Sequence, residues 1–351
     1  MDTGQTSSNA RDVTIVVTQR ERFGVAVESL KSIVAETDGS FELVYVDGNG
    51  PRDIEAQLRP ICEANGFRYL RFEHFLSPNQ ARNIGVKAAN GRYVVFIDND
   101  VIVTPNWLAS LVRCAEETGA EIVAPLTCQK MPAHTEIHQA GGLFTDDLKG
   151  FFADDPKHRR VNEVHVLQGK KVEDVNLQRG ETQCCEFHCA LVRRDVFDRL
   201  GLLDEKLLAT KEHIDFSLSV WKNGGKVMFE PTSVVTYLLP SRARPMEARD
   251  EPYFMLRWSP TWQRKSLEHF QAKWELWHDP YFENRMRNKL EWRIFEGLGR
   301  PRLRKVPVVG QKKLFQKLGK PFVMSMLKRR SEALVAAHAA GTPDASAEAA
   351  R

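Results

Sequence analysis

Asp98, Asn99 and Asp100 follow the apolar run YVVFI, which sets two carboxylates one residue apart at the end of a strand. There they would form a compact oxygen site facing solvent. Mg²⁺ and Mn²⁺ bind such sites, taking one or two protein carboxylates and completing their shell with phosphate and water. A cation held there would neutralise a departing diphosphate as Lewis acid and template. A second anion site is suggested by SPNQARNIG. Ser77 can cap, Pro78 suits the first helical position, Gln80 completes a capping box and Asn90-Gly91 ends the helix. Arg82 and Asn83 then stand near the first turn, where the helix dipole and free N–H groups favour an anion; an ordinary surface arginine is the other reading. Glu212 and Asp215 open a helix whose Ile214, Leu218 and Trp221 share an apolar face. The two acids point away from that face, and capping the helix is a purely structural use for them.

Two further metal readings are weaker. The run Cys184-Cys185-Glu186-Phe187-His188-Cys189 is one cluster where structural zinc sites show two separated ligand pairs. Alternating burial along a core strand explains it equally well. His134 and His138 have helical i, i+4 spacing, but Pro132 and Gly141 leave little helix to carry them. The six cysteines lack the paired spacing of a disulfide framework and read as reduced thiols.

The elements that must position these residues are legible as VTIVVT, FELVYVDG, YLRFE, RYVVFID and EIVAP, β-rich runs separated by helix-length segments. They predict an α/β fold with a mainly parallel sheet, whose ligands collect beyond the carboxyl ends of the strands, at residues 18–22, 47–50 and 98–100. Residues 126–185 have weak periodicity and read as a variable loop region facing the acceptor. Beyond Pro240, Trp262, Phe270, Trp274 and Trp277 form the stripe of a helix, packed as core or left as an acceptor- or membrane-facing surface. The chain of 351 residues carries a net charge of +4, yet residues 300–330 hold eleven Lys/Arg and no Asp/Glu, so the body is mildly acidic. That segment mixes bases with Leu, Phe, Val and Met as a surface-bound membrane helix does, or as a solvated basic helix does. Nucleic acid is disfavoured by the acidic body and the lack of a recognition motif. No secretory signal or long apolar span is evident, so a cytoplasmic location is expected, with peripheral contact at the inner face of the plasma membrane.

SPNQARNIGVKAANGRYVVFIDNDVIVTPNWL, with its Ala-Arg-Asn-x-Gly helix, Gly turn and Asp-x-Asp strand end, resembles the central segment of the family 2 nucleotide-sugar glycosyltransferases. CALVRRDVFDRLGLLDEKLL resembles that family's later segment, and the similarity spans residues 13–238. The resemblance implies a Rossmann-like GT-A domain over residues 12–240; composition adds an aromatic-rich helical extension (241–298) and a basic amphipathic segment (299–330). Disordered ends (1–11 and 331–351) complete the expected organisation. The resemblance also implies an inverting transfer of a hexosyl or N-acetylhexosaminyl group from a nucleotide diphosphate donor, most often a UDP-sugar. The acceptor would be a glycan or lipid-linked hydroxyl, as in bacterial polysaccharide assembly, and the cofactor Mn²⁺ or Mg²⁺. Position by position, Thr18, Arg20, Glu21 and Asp47 would surround the nucleoside, Arg82 and Asn83 would lie near the donor, and Asp98, Asn99 and Asp100 would meet ribose, diphosphate and metal. The family's general base maps to Lys211-Glu212-His213-Ile214-Asp215. His213 replaces the second acid of the usual Glu-Asp pair, which leaves Glu212, Asp215 and His213 as candidates. In EPTSVVTYL, Tyr237 stands where many relatives place a metal-completing histidine, which implies weak metal dependence. These departures keep a non-catalytic nucleotide-sugar binding or scaffold protein open. A nucleotidyltransferase fits less well, because the loop VTQRERFG is not glycine-rich.

Overall fold

The computed structural model describes residues 12–144, 148–152, 159–241, 244–305 and 312–341. The expected disordered stretch 1–11 and the last part of the tail lie outside these residues. The strands are β1 Val13–Thr18, β2 Glu42–Gly48, β3 Arg68–Phe72, β4 Tyr93–Asp98, β5 Val101–Val103, β6 Ile122–Gln129, β7 Glu136–Gln139, β8 Gly142–Phe144, β9 Glu163–His165, β10 Gly180–Glu181, β11 Cys189–Arg193 and β12 Val227–Tyr237. The helices are α1 Ala26–Glu36, α2 Arg52–Ala64, α3 Pro78–Ala88, α4 Trp107–Thr118, α5 Leu148–Phe151, α6 Asp195–Leu200, α7 Glu212–Lys222, α8 Glu251–Arg257, α9 Pro260–Lys273, α10 Pro280–Asn288, α11 Trp292–Ile294, α12 Arg300–Lys305 and α13 Lys312–Gly341. One sheet runs β10-β12-β6-β11-β4-β1-β2-β3, with β5 and β7 paired to β12 and β6, and β8 pairs separately with β9. The β3-β2-β1-β4 half is parallel, and β11 inserts antiparallel between β4 and β6. This is the α/β sheet with a C-terminal helical extension expected from the sequence.

Strand alternation divides the core. Ile15, Val17, Val95 and Ile97 face α1, α2 and α4, while Val16, Val94 and Phe96 face α3, α6 and α7. Helices on both faces explain why β1 and β4 are buried throughout rather than alternating with solvent. On α3 the Gln80 half of the capping box forms, with Ser77 N donating to Gln80 Oε1 at 2.9 Å, while the Ser77 hydroxyl has no hydrogen-bond partner among the described residues. Gly85, the glycine of the Ala-Arg-Asn-x-Gly motif, lets α3 lie directly on β1, since a β-carbon there would overlap the Val16 methyl groups.

Residues 126–185 are not one variable loop. They carry the end of β6 and the short strands β7 to β10, pieces of two to four residues too brief to display a period. His138 lies on strand β7, not on a helix. In the extension, Ser259 caps α9 by accepting from Trp262 N at 3.1 Å. Trp262, Phe270 and Trp274 are buried, whereas Trp277 lies past the helix end, half exposed, under the Arg160 guanidinium. The disordered tail expected from residue 331 is instead helical as far as Gly341, because Ala and Leu favour helix and the segment has somewhere to pack. Ser331 is buried and donates to Met255 O at 2.8 Å, and Leu327 and Leu334 join the apolar cluster around Met255 and Trp258. Among the described residues, no helix is long and apolar enough to cross a membrane.

Candidate active site

Three strand registers build the site around the end of β4. Parallel pairing sets Asp98 opposite Thr18, and the next residue continues the contact: Asn99 N donates to Thr18 O at 2.9 Å and Asn99 Oδ1 accepts from Arg20 N at 2.8 Å. Antiparallel β11 places Cys189 against Ile97, so His188 arrives beside Asp98, whose N–H donates to His188 O at 3.0 Å. β12 runs past β5 with Tyr237 opposite Val101, and Leu238 N donates to Asp100 O at 2.9 Å. One ligand atom each from Asp98, Asp100 and His188 thereby falls within 4.8 Å of the others.

The carboxylates do not face solvent as expected; Asp98, Asp100 and His188 are all buried. Arg20 folds over them, with Nη1 3.1 Å from Asp98 Oδ2 and its guanidinium 5.2 Å from the Tyr237 ring centre. Arg82 Nη2 sits 3.3 Å from Asp98 Oδ1. Burial would raise the Asp98 carboxyl, but Arg20, then the neighbouring His188 and Arg82, outweigh it and hold the group well below the usual carboxylate range. Asp100 is driven the other way, by burial and by the Asp98 charge. Among the described residues neither Asp100 oxygen has a hydrogen-bond partner. His188 Nδ1 stands 3.1 Å from Asp98 Oδ2 without the alignment of a hydrogen bond. Burial and Arg20 push that imidazole down to about 4, so at neutral pH it carries a lone pair, as a metal ligand must. Two orphaned carboxylate oxygens beside a neutral imidazole make a donor set suited to a Mn²⁺- or Mg²⁺-class cation.

A cavity of about 200 Å³ adjoins this group, lined by Arg20, Arg82, His188, Glu212 and His213, and on its far wall by Arg257, Trp258 and Arg293 of the extension. The three base candidates separate here. Lys211, at φ 74°, turns the chain sharply into α7 and aims Glu212 into the cavity. Glu212 is buried, 3.6 Å from Arg257 Nη2, and its Oε1 has no hydrogen-bond partner. His213 lines the same cavity with Nε2 held 2.9 Å from Glu163 Oε2. Asp215 does not line it: Lys273 Nζ and Trp274 Nε1 each donate to its carboxylate at 2.8 Å.

The remaining expected residues divide similarly. Glu21 accepts from Trp258 Nε1 at 2.7 Å and pairs with Arg257 at 3.1 Å, tying the loop after β1 to the extension. Thr18 is buried with an unpartnered hydroxyl beside the Asp98 strand end. Asp47 is committed to Gly50 N at 2.7 Å and to Tyr69 and Arg71 at 2.6 Å, holding residues 47–50 in their turn. Asn83 faces away from Arg82's carboxylate partner; its amide clamps Leu203 and Glu205 of the Leu-Asp-Glu turn. His188, Arg257 and Trp258 were not among the expected site residues. Only the first had a local signal, the Glu-Phe-His-Cys run, and its meaning depends on an antiparallel register ninety residues from β4.

The profile of Glycosyl transferase family 2 matches residues 14–201, more than half of the chain. The chain belongs to this family. Among its relatives, an uncharacterized glycosyltransferase of Rickettsia felis is 31% identical over 143 residues, 40% of this chain and 22% of that protein. N-acetylgalactosaminyltransferase 7 of Homo sapiens is 24% identical over 278 residues, 76% of this chain and 40% of that one. The chain thus spans less than half the length of these curated relatives. A crystal structure of GalNAc-T7 with UDP, GalNAc and Mn²⁺ superposes over 86% of this chain and 59% of that chain, with a TM-score of 0.51 and 17% identity, which establishes a common GT-A fold.

Proposed function

We propose that this glycosyltransferase moves a hexosyl or N-acetylhexosaminyl group, with inversion, from a nucleotide diphosphate donor of the UDP class to a hydroxyl of a glycan or lipid-linked acceptor. The buried, unpartnered Asp100 carboxylate beside Asp98 and His188 carries this reading. A divalent cation, Mn²⁺ or Mg²⁺, held by these three residues would supply electrostatic stabilisation of the leaving diphosphate. His188 then stands in for the histidine that Tyr237 replaces, so metal dependence is stronger than the sequence of β12 alone implies. Arg82 supplies fixed positive charge at the same strand end, and Thr18, Glu21, Asn99 and the Asp47 turn form the nucleoside side. At about 200 Å³ the cavity is smaller than the roughly 300–1,000 Å³ of a pocket that holds a small-molecule ligand. Donor entry therefore moves Arg20 off Asp98, from the carboxylate to the donor phosphates, an exchange of one anion for another.

Glu212 is the base in this reading, since Asp215 is committed to Lys273 and Trp274 and His213 to Glu163. Its free oxygen takes the proton of the acceptor hydroxyl as that oxygen bonds to the anomeric carbon and the bond to the diphosphate breaks. Arg257, 3.6 Å away, orients the carboxylate. The exposed apolar residues Leu318, Phe322 and Met326, spaced four apart on the basic helix α13, support docking on an anionic lipid surface on the cytoplasmic side.

The test is calorimetric titration with UDP, with and without Mn²⁺, on the wild type and on Asp100→Ala. Binding that requires Mn²⁺ and weakens at least tenfold in the variant is expected. Equal affinity in the variant, or in the absence of metal, would sink the assignment.

A further inference from the structure

Beside the Asp98 site the structure gathers a second group of ligand side chains that the transfer reaction does not use. We propose that Glu163, Glu186 and His213, with His165 completing the set, form a separate site for a divalent transition-metal ion of the zinc class. The two carboxylates and His213 offer ligand atoms within 4.8 Å of one another. Glu163 Oε2 lies 2.9 Å from His213 Nε2, and His165 Nε2 is 3.5 Å from Glu163 Oε1 and 3.8 Å from Glu186 Oε1. All four side chains line the cavity. They come from three distant parts of the chain: Glu163 and His165 from alternate, same-face positions of β9, Glu186 from the turn before β11, and His213 from the first turn of α7. Two imidazole nitrogens with two carboxylates make a four-ligand set of the kind zinc prefers, unlike the oxygen-rich set around Asp98 and Asp100.

The surroundings are those of a metal site rather than of an isolated ion pair. Metal-binding groups are normally held by an outer layer of hydrogen bonds. Here Gln139 Nε2 donates to Glu163 Oε1 at 3.1 Å, and Cys184 Sγ lies 3.5 Å from the same oxygen. Glu186 is steered from the side away from the cavity by His138, whose Nε2 is 2.6 Å from Glu186 Oε2. The opposite nitrogen of His138 meets Gln129 Oε1 at 3.1 Å, and Gln129 is fixed in that orientation because its Nε2 donates to Glu136 Oε1 at 2.7 Å. This chain of contacts reaches from Glu136 through Gln129 and His138 to Glu186 at the cavity wall. His188 joins the two sites without being shared by both sets, with Nδ1 toward Asp98 and Nε2 3.5 Å from Glu186 Oε2.

The experiment reads metal stoichiometry on the full chain and needs neither donor nor acceptor. The purified protein is stripped with chelator, reloaded with Co²⁺ as the spectroscopic probe for zinc, and compared with Asp100→Ala and with the double variant Glu163→Gln/His213→Asn. Two equivalents are expected in the wild type and one in each variant, with the strong visible absorption of four-coordinate Co²⁺ retained in Asp100→Ala and lost in the double variant. If the Asp100→Ala protein keeps no bound Co²⁺, or binds it without that absorption, the second site does not exist and the cluster is a set of imidazole–carboxylate pairs. That comparison stands even if the double variant fails to fold. Failure of the donor-site reading looks different: two equivalents persist in Asp100→Ala while UDP binding is unaffected.

Discussion

At the scale of single residues, the three candidates of one short segment have three different fates. Glu212→Gln should leave Mn²⁺-dependent UDP binding intact and lower kcat by about 10²–10⁴-fold, the range of a lost general base. Asp215→Asn should do nearly the reverse, costing about 1–3 kcal/mol of stability through the weakened tie to Lys273 and Trp274. Urea unfolding and steady-state rates on both variants separate the two outcomes; a Glu212→Gln enzyme with wild-type kcat would move the base elsewhere. The sequence could not make this separation. Glu212, His213 and Asp215 are all chemically competent, and what distinguishes them is a partner 50 to 60 residues away: Glu163 for His213, Lys273 and Trp274 for Asp215. Asp98 and Asp100, by contrast, were legible because a strand end is a local feature. His188 was not, since nothing within its own segment says which strand it will border.

At the scale of elements, the strands were readable wherever they were long and fully buried, as in β1, β2 and β4, and unreadable where two to four residues pair at an edge, as in β7 to β10. The end of the sheet opposite the site shows how these elements are fastened. The Glu42 carboxylate accepts from Thr14 Oγ1 at 2.5 Å on β1, from Arg68 Nη2 at 2.6 Å on β3, and from Asn90 N at 3.0 Å in the turn before β4. Partial burial works against ionisation, but these donors outweigh it and lower the carboxyl below its ordinary value. Because the folded pKa is below the unfolded one, about 4.3, the contribution is complete above the unfolded value and is lost as the pH falls through the folded one. Glu42→Gln should therefore cost about 1–2 kcal/mol at pH 7, with the difference from wild type shrinking toward zero in acid. Urea midpoints measured at intervals from pH 7 to pH 3 test this, and a gap that stays constant would contradict it.

At the scale of the whole molecule, the extension is part of the site and not an appendage to it. Arg257, Trp258 and Arg293 close the cavity, and Glu251 binds Arg302 at 2.7 Å and Arg330 at 3.3 Å, fastening α12 and α13 to α8. The aromatic composition of the segment announced packing, but no local pattern could say that it packs on the loop after β1. The outer face of α13 leads to another prediction. Replacing Leu318, Phe322 and Met326 by Ser should reduce co-sedimentation with phosphatidylglycerol vesicles at least fivefold while leaving UDP binding unchanged. Equal sedimentation of variant and wild type would remove the membrane role. The ties between the loop after β1 and the far end of the chain also bear on how the protein is made. Arg22 donates to Leu238 O, Phe23 N donates to Asp250 and Glu21 accepts from Trp258, partners 216 to 237 residues further along. A ribosome adding about 5–20 residues per second needs about 10–50 s to cover that distance. Within that interval β4, which carries Asp98, can pair with β1, whereas β5 beside Asp100 waits for β12 and Glu21, Arg22 and Phe23 lack these distant partners. The proposed donor site is therefore completed late in synthesis, when the last third of the chain docks.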